Sequence, residues 1–181
     1  LVAAIITNQQ NAPITKEKTV LFPGLADSIN SLSEISIQSG SLNLNISLQG
    51  GNWVIREAGE YPALLNKINQ IAFNITDLKI LAARTKKPEL YSKLGVENPA
   101  QEGSGSRLLT LKDGSGNSLA SLIVGKERLS KSASDKHSLY VRLPDQKQAL
   151  LVEGKLEIST NTVDWVNREL VDVASDRISE I

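Results

Sequence analysis

The stretch EISIQSGSLNLNISLQGGNWVIRE, residues 34–57, decides the fold. Apolar and polar residues alternate from Leu42 to Gln49, so that four aliphatic side chains lie on one face of a strand and four polar side chains on the other. A shorter alternation precedes Ser39-Gly40, and Gly50-Gly51 is typical of a two-residue hairpin turn. The stretch therefore predicts a three-stranded antiparallel meander with one face in water.

After the meander, the hydrophobic period changes from that of a strand to that of a helix. Apolar residues then fall at the spacing of one helix face: Leu64, Leu65, Ile68, Ile71, Ala72 and Ile75. Pro62 suits the first turn of this helix, because its φ angle is fixed near the helical value. We expect the helix to cover the apolar face of the meander.

The rest of the chain repeats the same kinds of element. A strand is predicted over residues 78–81 and a short helix over residues 88–94, ending at Gly95. Residues 98–106 are predicted to form a flexible junction. Beyond them lies a second group of strands, with a polar loop between 126 and 137; the strands are 107–112, 118–124, 138–143 and 148–153.

Near the end of the chain, apolar residues again recur at helical spacing and threonines precede them as candidate caps. The residues are Val163, Val166, Leu170 and Val173, with Thr160 and Thr162 as the caps. The expected fold class is α+β, with antiparallel β-sheet meanders packed by two or three amphipathic helices. We expect residues 20–173 to form a single α+β unit, made of a first meander with helices (20–97) and a second meander with a helix (107–173).

Both ends are expected to be cuts through a longer protein. The sequence contains no Met and begins with six apolar residues, Leu1–Ile6, which are too few to span a bilayer. They fit either the remnant of a membrane anchor or a short N-terminal strand, at the start of a segment (1–19) interpreted as a linker. The tripeptide at 33–35 recurs at 179–181, so residues 174–181 are interpreted as the start of a following repeat.

Composition excludes several classes of function. Lys plus Arg and Asp plus Glu number 20 each, so no basic surplus indicates a nucleic-acid binder. The densest basic cluster, Arg84 with Lys86 and Lys87, fits a solvated strand end about as well as a partner site. With no Cys and one His, the chain lacks disulfides, thiolate nucleophiles and paired-His zinc sites. Since aromatic residues are 4% of the chain, the core must be aliphatic.

Four short motifs are similar to catalytic or ligand sites, and each has a simpler interpretation. His137 lies in a polar loop with Ser and Asp, but a solvated histidine is favoured over a catalytic triad. Asp113–Asn117 spaces its oxygens as calcium loops do and fits a hairpin turn better. Gly125-Lys126 lacks the rest of a phosphate loop, and Gly103–Arg107 leads into a strand instead of a helix.

Two tryptophans and two asparagines complete the candidates. Trp53 and Trp165 suit sugar stacking, although a core anchor is the favoured interpretation of each. Asn45-Ile-Ser47 and Asn74-Ile-Thr76 match the glycosylation pattern, which chance also produces in a chain rich in Asn and Ser. No acidic pair is marked out for glycoside chemistry. We therefore assign no catalytic residue, no cofactor-binding residue and no metal ligand.

The order of short motifs along the chain carries a family resemblance. The motifs are Gly-Gly-Asn-Trp53-Val, Tyr61-Pro62, Tyr91-x-x-Leu94-Gly95-Val, Ile-Val-Gly125, Leu139-Tyr140-Val141-Arg142 and a helix with Trp165. Over roughly residues 32–181, this order resembles the bacterial family catalogued as domain of unknown function 4340. The resemblance implies an N-terminal membrane anchor, an exported region often built of repeats, and genes near those of ABC-transporter subunits. The family has no established catalytic residues, and the matched Trp, Tyr and Gly positions are interpreted as structural.

These observations lead to three functional hypotheses. The first is a non-enzymatic interaction module, exported to the periplasmic side of the bacterial inner membrane as an accessory of an ABC-type transporter or envelope complex. Its partner is expected to be a protein, with no nucleic acid and with membrane contact only through the missing N-terminal anchor. The alternatives are a ligand- or glycan-binding periplasmic domain with a pocket at Trp53 or Trp165, and a hydrolase using His137 or carboxylates.

Overall fold

The computed structural model describes residues 19–128 and 137–166. In these residues nine strands form one sheet: β1 Leu32–Ser39, β2 Leu42–Gln49, β3 Asn52–Ile55, β4 Tyr61–Pro62, β5 Lys79–Ala83, β6 Arg107–Asp113, β7 Ser118–Glu127, β8 Ser138–Arg142 and β9 Ala149–Glu153. The α-helices of the same residues are α1 Leu25–Ser28, α2 Leu65–Thr76 and α3 Tyr91–Leu94. The expected α+β class is confirmed.

The strand order β4-β3-β2-β1-β6-β7-β8-β9-β5 joins both predicted meanders into a single antiparallel sheet. The join is the pairing of β1 with β6, in which Ile35 lies opposite Leu111 and Ile37 opposite Leu109. All four side chains are fully buried, so the strongest part of the core lies across this join. The strand predicted over 78–81 is β5, which pairs with β9 at the far end of the sheet.

The helix after the meander begins later than its proline suggests. Pro62 lies in β4, opposite Val54, and the Ala63 N–H donates to the Trp53 carbonyl 2.8 Å away. The prediction that Pro62 lies in the first helical turn is therefore wrong, because a φ fixed by proline also suits an edge strand. Helix α2 begins at Leu65 and buries Ile68, Ile71 and Ile75 of its predicted face, whereas Leu65, predicted on the same face, is 56% exposed.

The prediction for the last helix is also corrected. Residues Thr162–Trp165 form a single 3₁₀ turn, and Val166 is extended and bridges to Ala63. The side chain of Asn161 caps this turn, because its oxygen accepts the Val163 N–H; neither of the two predicted threonines does so. Leu170 and Val173 lie outside the described residues, as do Leu1–Ile6 and the segment 174–181 with the repeated tripeptide.

The core is aliphatic, as the composition predicts, with Trp165 as its one fully buried aromatic side chain in the described ranges. A second, smaller cluster forms where α3 packs on the sheet, and its buried members are Tyr91, Val96, Ile123 and Ala149. Among the described residues, no helix has both the length and the apolar character needed to cross a membrane.

Candidate functional site

Two of the motifs that carry the family resemblance meet where α3 ends. Gly95 stops this helix with a φ of 69°, a left-handed conformation that favours glycine. The helix end rests directly on Gly125 of β7. A Cβ atom on Gly125 would lie 2.7 Å from Val96 Cγ1 and 2.8 Å from the Gly95 carbonyl, and closer still to the Leu94 carbonyl. Because Gly125 has no side chain, the backbone at the end of α3 can pack directly against the backbone of β7.

A third motif supplies a buried cation beside this contact. Arg142, only 8% exposed, donates from Nε to the Val96 carbonyl at 2.9 Å. Its Nη1 donates to the carbonyls of Pro144 and Gln146 at 3.2 and 3.1 Å. The guanidinium lies 4.8 Å from the ring centroid of Tyr91, within the range of a cation–π contact. Arg142 thus joins α3 to the turn after β8 through carbonyl oxygens.

Tyr91 connects the same place to the end of β5. Its hydroxyl donates to the carbonyl of Lys147 at 2.5 Å and lies 3.5 Å from that of Lys86. The pairing of β5 with β9 continues here, because the Ala149 N–H donates to the Thr85 carbonyl at 2.8 Å. Lys86 and Lys147, far apart in sequence, are thereby held on one corner of the molecule.

This corner carries a groove of about 440 Å³, which we call the basic groove. It is lined by Ala83, Arg84, Thr85, Leu90, Lys93 and Leu94. Exposed cations on and around it are Arg84, Lys86, Lys87, Lys93 and Lys147. Within the described ranges, none of these five lies within 4.0 Å of a carboxylate oxygen. The groove therefore combines an aliphatic floor with an excess of positive charge.

The other side of α3 carries the opposite charge. A smaller recess of about 280 Å³ is lined there by Glu89, Glu97 and Glu102, together with neutral residues. Glu97 Oε1 accepts the Gly105 N–H at 3.0 Å and the Ser104 hydroxyl at 3.2 Å, and these bonds hold the segment predicted as a flexible junction. Glu97 Oε2 is buried and accepts no hydrogen bond from the part of the chain described. Across residues 19–128 and 137–166, no three acidic or His side chains cluster closely enough to hold a metal ion.

His137 lies just before β8 and is exposed. Its carbonyl accepts the Gly154 N–H at 2.9 Å, while Ser138 beside it is buried in the strand. A carboxylate near it is that of Glu157, whose pKa is lowered chiefly by Lys155 and, to a smaller extent, by His137. The loop partners Ser134 and Asp135 lie outside the described residues, so the structure does not test a triad with them, which the sequence disfavours.

The motifs that are similar to phosphate loops and calcium loops have structural roles. The carboxylate of Asp113 accepts the Ser115 and Asn117 N–H groups at 2.8 and 2.9 Å and the Asn117 amide at 2.9 Å, which confirms the hairpin turn. The pKa of Asp113 lies below its ordinary value of 3.8, and the main cause is the hydrogen bond from the Asn117 side chain. Gly125-Lys126 lies within β7, and Gly103–Arg107 leads into β6 as predicted.

The two tryptophans act as anchors. Trp165 is fully buried, and its Nε1 donates to the Ser159 carbonyl at 2.9 Å. Trp53 is half-buried and packs against the core from β3. The Trp165 ring is therefore closed to a sugar, whereas part of the Trp53 ring remains exposed. Asn45 lies in β2 and Asn74 in α2, so both glycosylation motifs fall within regular elements.

Residues 53–181, which are 129 of the 181, match the family described as Domain of unknown function (DUF4340). The chain belongs to this family. Comparison with curated proteins and with solved structures gives no match. The resemblance inferred from the motifs is confirmed from Trp53 onward, and the DUF4340 range contains both the contact at Gly125 and the basic groove.

Sequence reasoning missed the groove, although part of its signal was visible. Arg84, Lys86 and Lys87 stand out as a cluster in the sequence. Lys93 joins them only because α3 folds back over the sheet, and Lys147 only because β9 pairs with β5. The charge excess is thus a product of strand pairing, and the chain's net charge of zero conceals it.

Proposed function

We propose that this DUF4340 protein is a non-enzymatic interaction module that binds a protein partner through the basic groove. We further propose that it is exported, held at the periplasmic side of the inner membrane, and serves as an accessory of an ABC-type transporter or envelope complex. The location and the transporter association rest on what the family resemblance implies. The binding role rests on the groove itself.

The observation that carries the proposal is the pairing of an apolar floor with cations that face solvent. Leu90 and Leu94 offer aliphatic surface for a partner side chain, while Arg84 and Lys93 stand beside them without a carboxylate within 4.0 Å in the described ranges. In a chain with zero net charge, such a local excess favours an acidic partner surface and speeds its approach.

The groove also stands on rigid support, which favours binding without rearrangement. Tyr91 is buried beneath it, and its hydroxyl is bonded to the Lys147 carbonyl. The Arg142 guanidinium, stacked on that ring, is bonded to backbone oxygens. A preformed surface loses less entropy on association than a mobile one.

Site-directed photocrosslinking of the full-length protein in its native membranes tests the proposal. A photoreactive residue replaces Leu90, which lines the groove and leaves every cation in place; the control site is Ser115, exposed at the tip of the β6–β7 hairpin. We expect a discrete crosslink to a transporter or envelope component from position 90 alone, and its loss when Arg84→Glu and Lys93→Glu are added. No such component at position 90, or the same one at position 115, would refute the proposal.

A further inference from the structure

Helix α2 exposes two large apolar side chains outside its buried face. Phe73 is 71% exposed, the highest value among the large apolar residues described, and Leu65 is 56% exposed. Residues four apart lie in one row on a helix, so Leu65, Asn69 and Phe73 form such a row. The other exposed residues beside this row are Asn66 and Gln70. We call these five residues the outer face of α2; it carries no charge, as is typical of a surface that another segment covers.

The chain leaves the described ranges beside the first turn of this helix. The Leu64 N–H donates to the Trp165 carbonyl at 2.7 Å, and Val166 then pairs in an antiparallel bridge with the residue before Leu64. Two residues before Leu64, Pro62 has no N–H to offer on the same side of the strand. The pairing therefore has no next donor on β4, and the chain that follows Val166 starts next to Leu65.

Residues 167–181, which we call the last segment, match the outer face in pattern and in length. Apolar residues recur in the last segment at the spacing of one helix face: Leu170, Ala174, Ile178 and Ile181. Leu170 and Ile178 are eight residues apart, as are Leu65 and Phe73, and eight residues of helix span about 12 Å. Two parallel helices can therefore bring both pairs of side chains together.

We propose that the last segment forms an amphipathic helix that packs along α2 and covers its outer face. Asn167, a favoured N-cap residue, turns the chain from its extended course at Val166 into this helix. Leu170 then contacts Leu65, Ile178 contacts Phe73, and burial of these apolar side chains stabilises the contact. None of them lines the basic groove, so the contact is separate from the proposed binding site.

The covalent connection favours the last segment over a second copy or another protein as the occupant. Because residue 167 directly follows the described chain, the effective concentration of the last segment at the outer face is about millimolar. A second copy at micromolar concentration would need about a thousandfold higher affinity to occupy the same surface equally. The uncharged outer face also offers no ion pair that would attract a charged partner.

A photoreactive residue at position 69 identifies the occupant. Asn69 is exposed midway between Leu65 and Phe73, and the purified full chain is irradiated at micromolar concentration before the crosslinked peptides are mapped by mass spectrometry. We expect a crosslink within one molecule to residues 170–178, and no such crosslink from the exposed control position Ser115. A crosslink from position 69 to residues 1–18 or to a second copy, or no crosslink, would overturn the proposal.

A double-mutant cycle in the full chain measures the contact itself. Phe73→Ser and Ile178→Ser change helix propensity little, and each should lower the melting temperature by about 2–6 °C through lost apolar burial. Since both remove the same contact, the double variant should melt within about 1 °C of the less stable single variant. The control is Leu42→Ser, at a 59% exposed position in β2, whose effect should add fully to that of Ile178→Ser. Additive effects of Phe73→Ser and Ile178→Ser, or no effect of either, would show that the two side chains do not meet.

Discussion

Replacement of Gly125 by Ala tests the contact on which the groove is built. The added methyl would lie 2.7 Å from Val96 Cγ1 and 2.8 Å from the Gly95 carbonyl, and would meet the Leu94 carbonyl more closely. Since favourable contact distances are about 3.5 Å or more, each neighbour would have to move by the better part of an ångström. The two carbonyls are backbone atoms, and no side-chain rotation can relieve them.

The loss of stability expected for Gly125→Ala depends on how far these neighbouring atoms can move. Inserting a methyl group into packed structure typically destabilises by about 1–3 kcal/mol. We expect the upper end, about 3 kcal/mol, because two of the three nearest atoms are backbone oxygens and the next carbonyl, that of Val96, is held in place by Arg142. For a chain of this length, that loss lowers the melting temperature by about 6–12 °C.

Urea denaturation followed by circular dichroism, with thermal melts in parallel, measures the change. Gly105→Ala is the matched control, since no heavy atom lies within 4 Å of its added methyl and its φ is outside the left-handed range. Its N–H bond to Glu97 is retained, so its stability should change by less than about 0.5 kcal/mol. The reasoning is refuted if Gly125→Ala is as stable as this control.

Three further substitutions test the remaining contacts. Arg142→Lys should destabilise by about 2 kcal/mol in urea titrations, because a lysine cannot donate to three carbonyls in a fork; a loss no larger than that of an exposed Arg→Lys change would contradict this. Trp165→Phe should cost at least about 1 kcal/mol, since the Ser159 carbonyl loses its indole donor; an unchanged urea midpoint would count against that hydrogen bond. Asp113→Asn should destabilise the hairpin at neutral pH, because Asn117 and the turn N–H groups lower the folded pKa of Asp113. That stabilisation is present above the unfolded pKa and is lost as the pH falls through the folded pKa, so the two proteins should converge in strong acid; a difference independent of pH would refute the assignment.

Local hydrophobic patterns were sufficient to predict which face of a single strand or helix is buried. The alternation in residues 42–49 fixes which face of β2 is buried, and Leu44 and Ile46 are indeed fully enclosed. Its outer members Leu42 and Leu48, of the same alternation, are 59% and 41% exposed. Periodicity therefore predicts the side of a sheet on which a residue lies and leaves its depth undetermined.

Local patterns gave the wrong secondary structure where the backbone pairs with another segment of the chain. Pro62 has a φ that suits both helix and edge strand, and pairing with Val54 decided between them. Val163 and Val166 have helical spacing, yet Val166 is extended and lies opposite Ala63 in a bridge whose hydrogen bond runs from the Leu64 N–H to the Trp165 carbonyl. No local signal contains the partner's position, so tertiary pairing overrides the helical period at both places.

The candidate site was harder to predict for the same reason, and this affects how its variants must be interpreted. The recognisable motif residues, such as Gly95 and Gly125, form the support, whereas the cations that would contact a partner come from segments without a motif. Loss of binding in Gly125→Ala would therefore report damage to the support as readily as damage to recognition. Lys93→Glu changes the charge of an exposed side chain and should leave the free energy of unfolding within about 0.5 kcal/mol of the wild type. Only a variant that keeps its stability and loses the crosslink from position 90 assigns recognition to the groove.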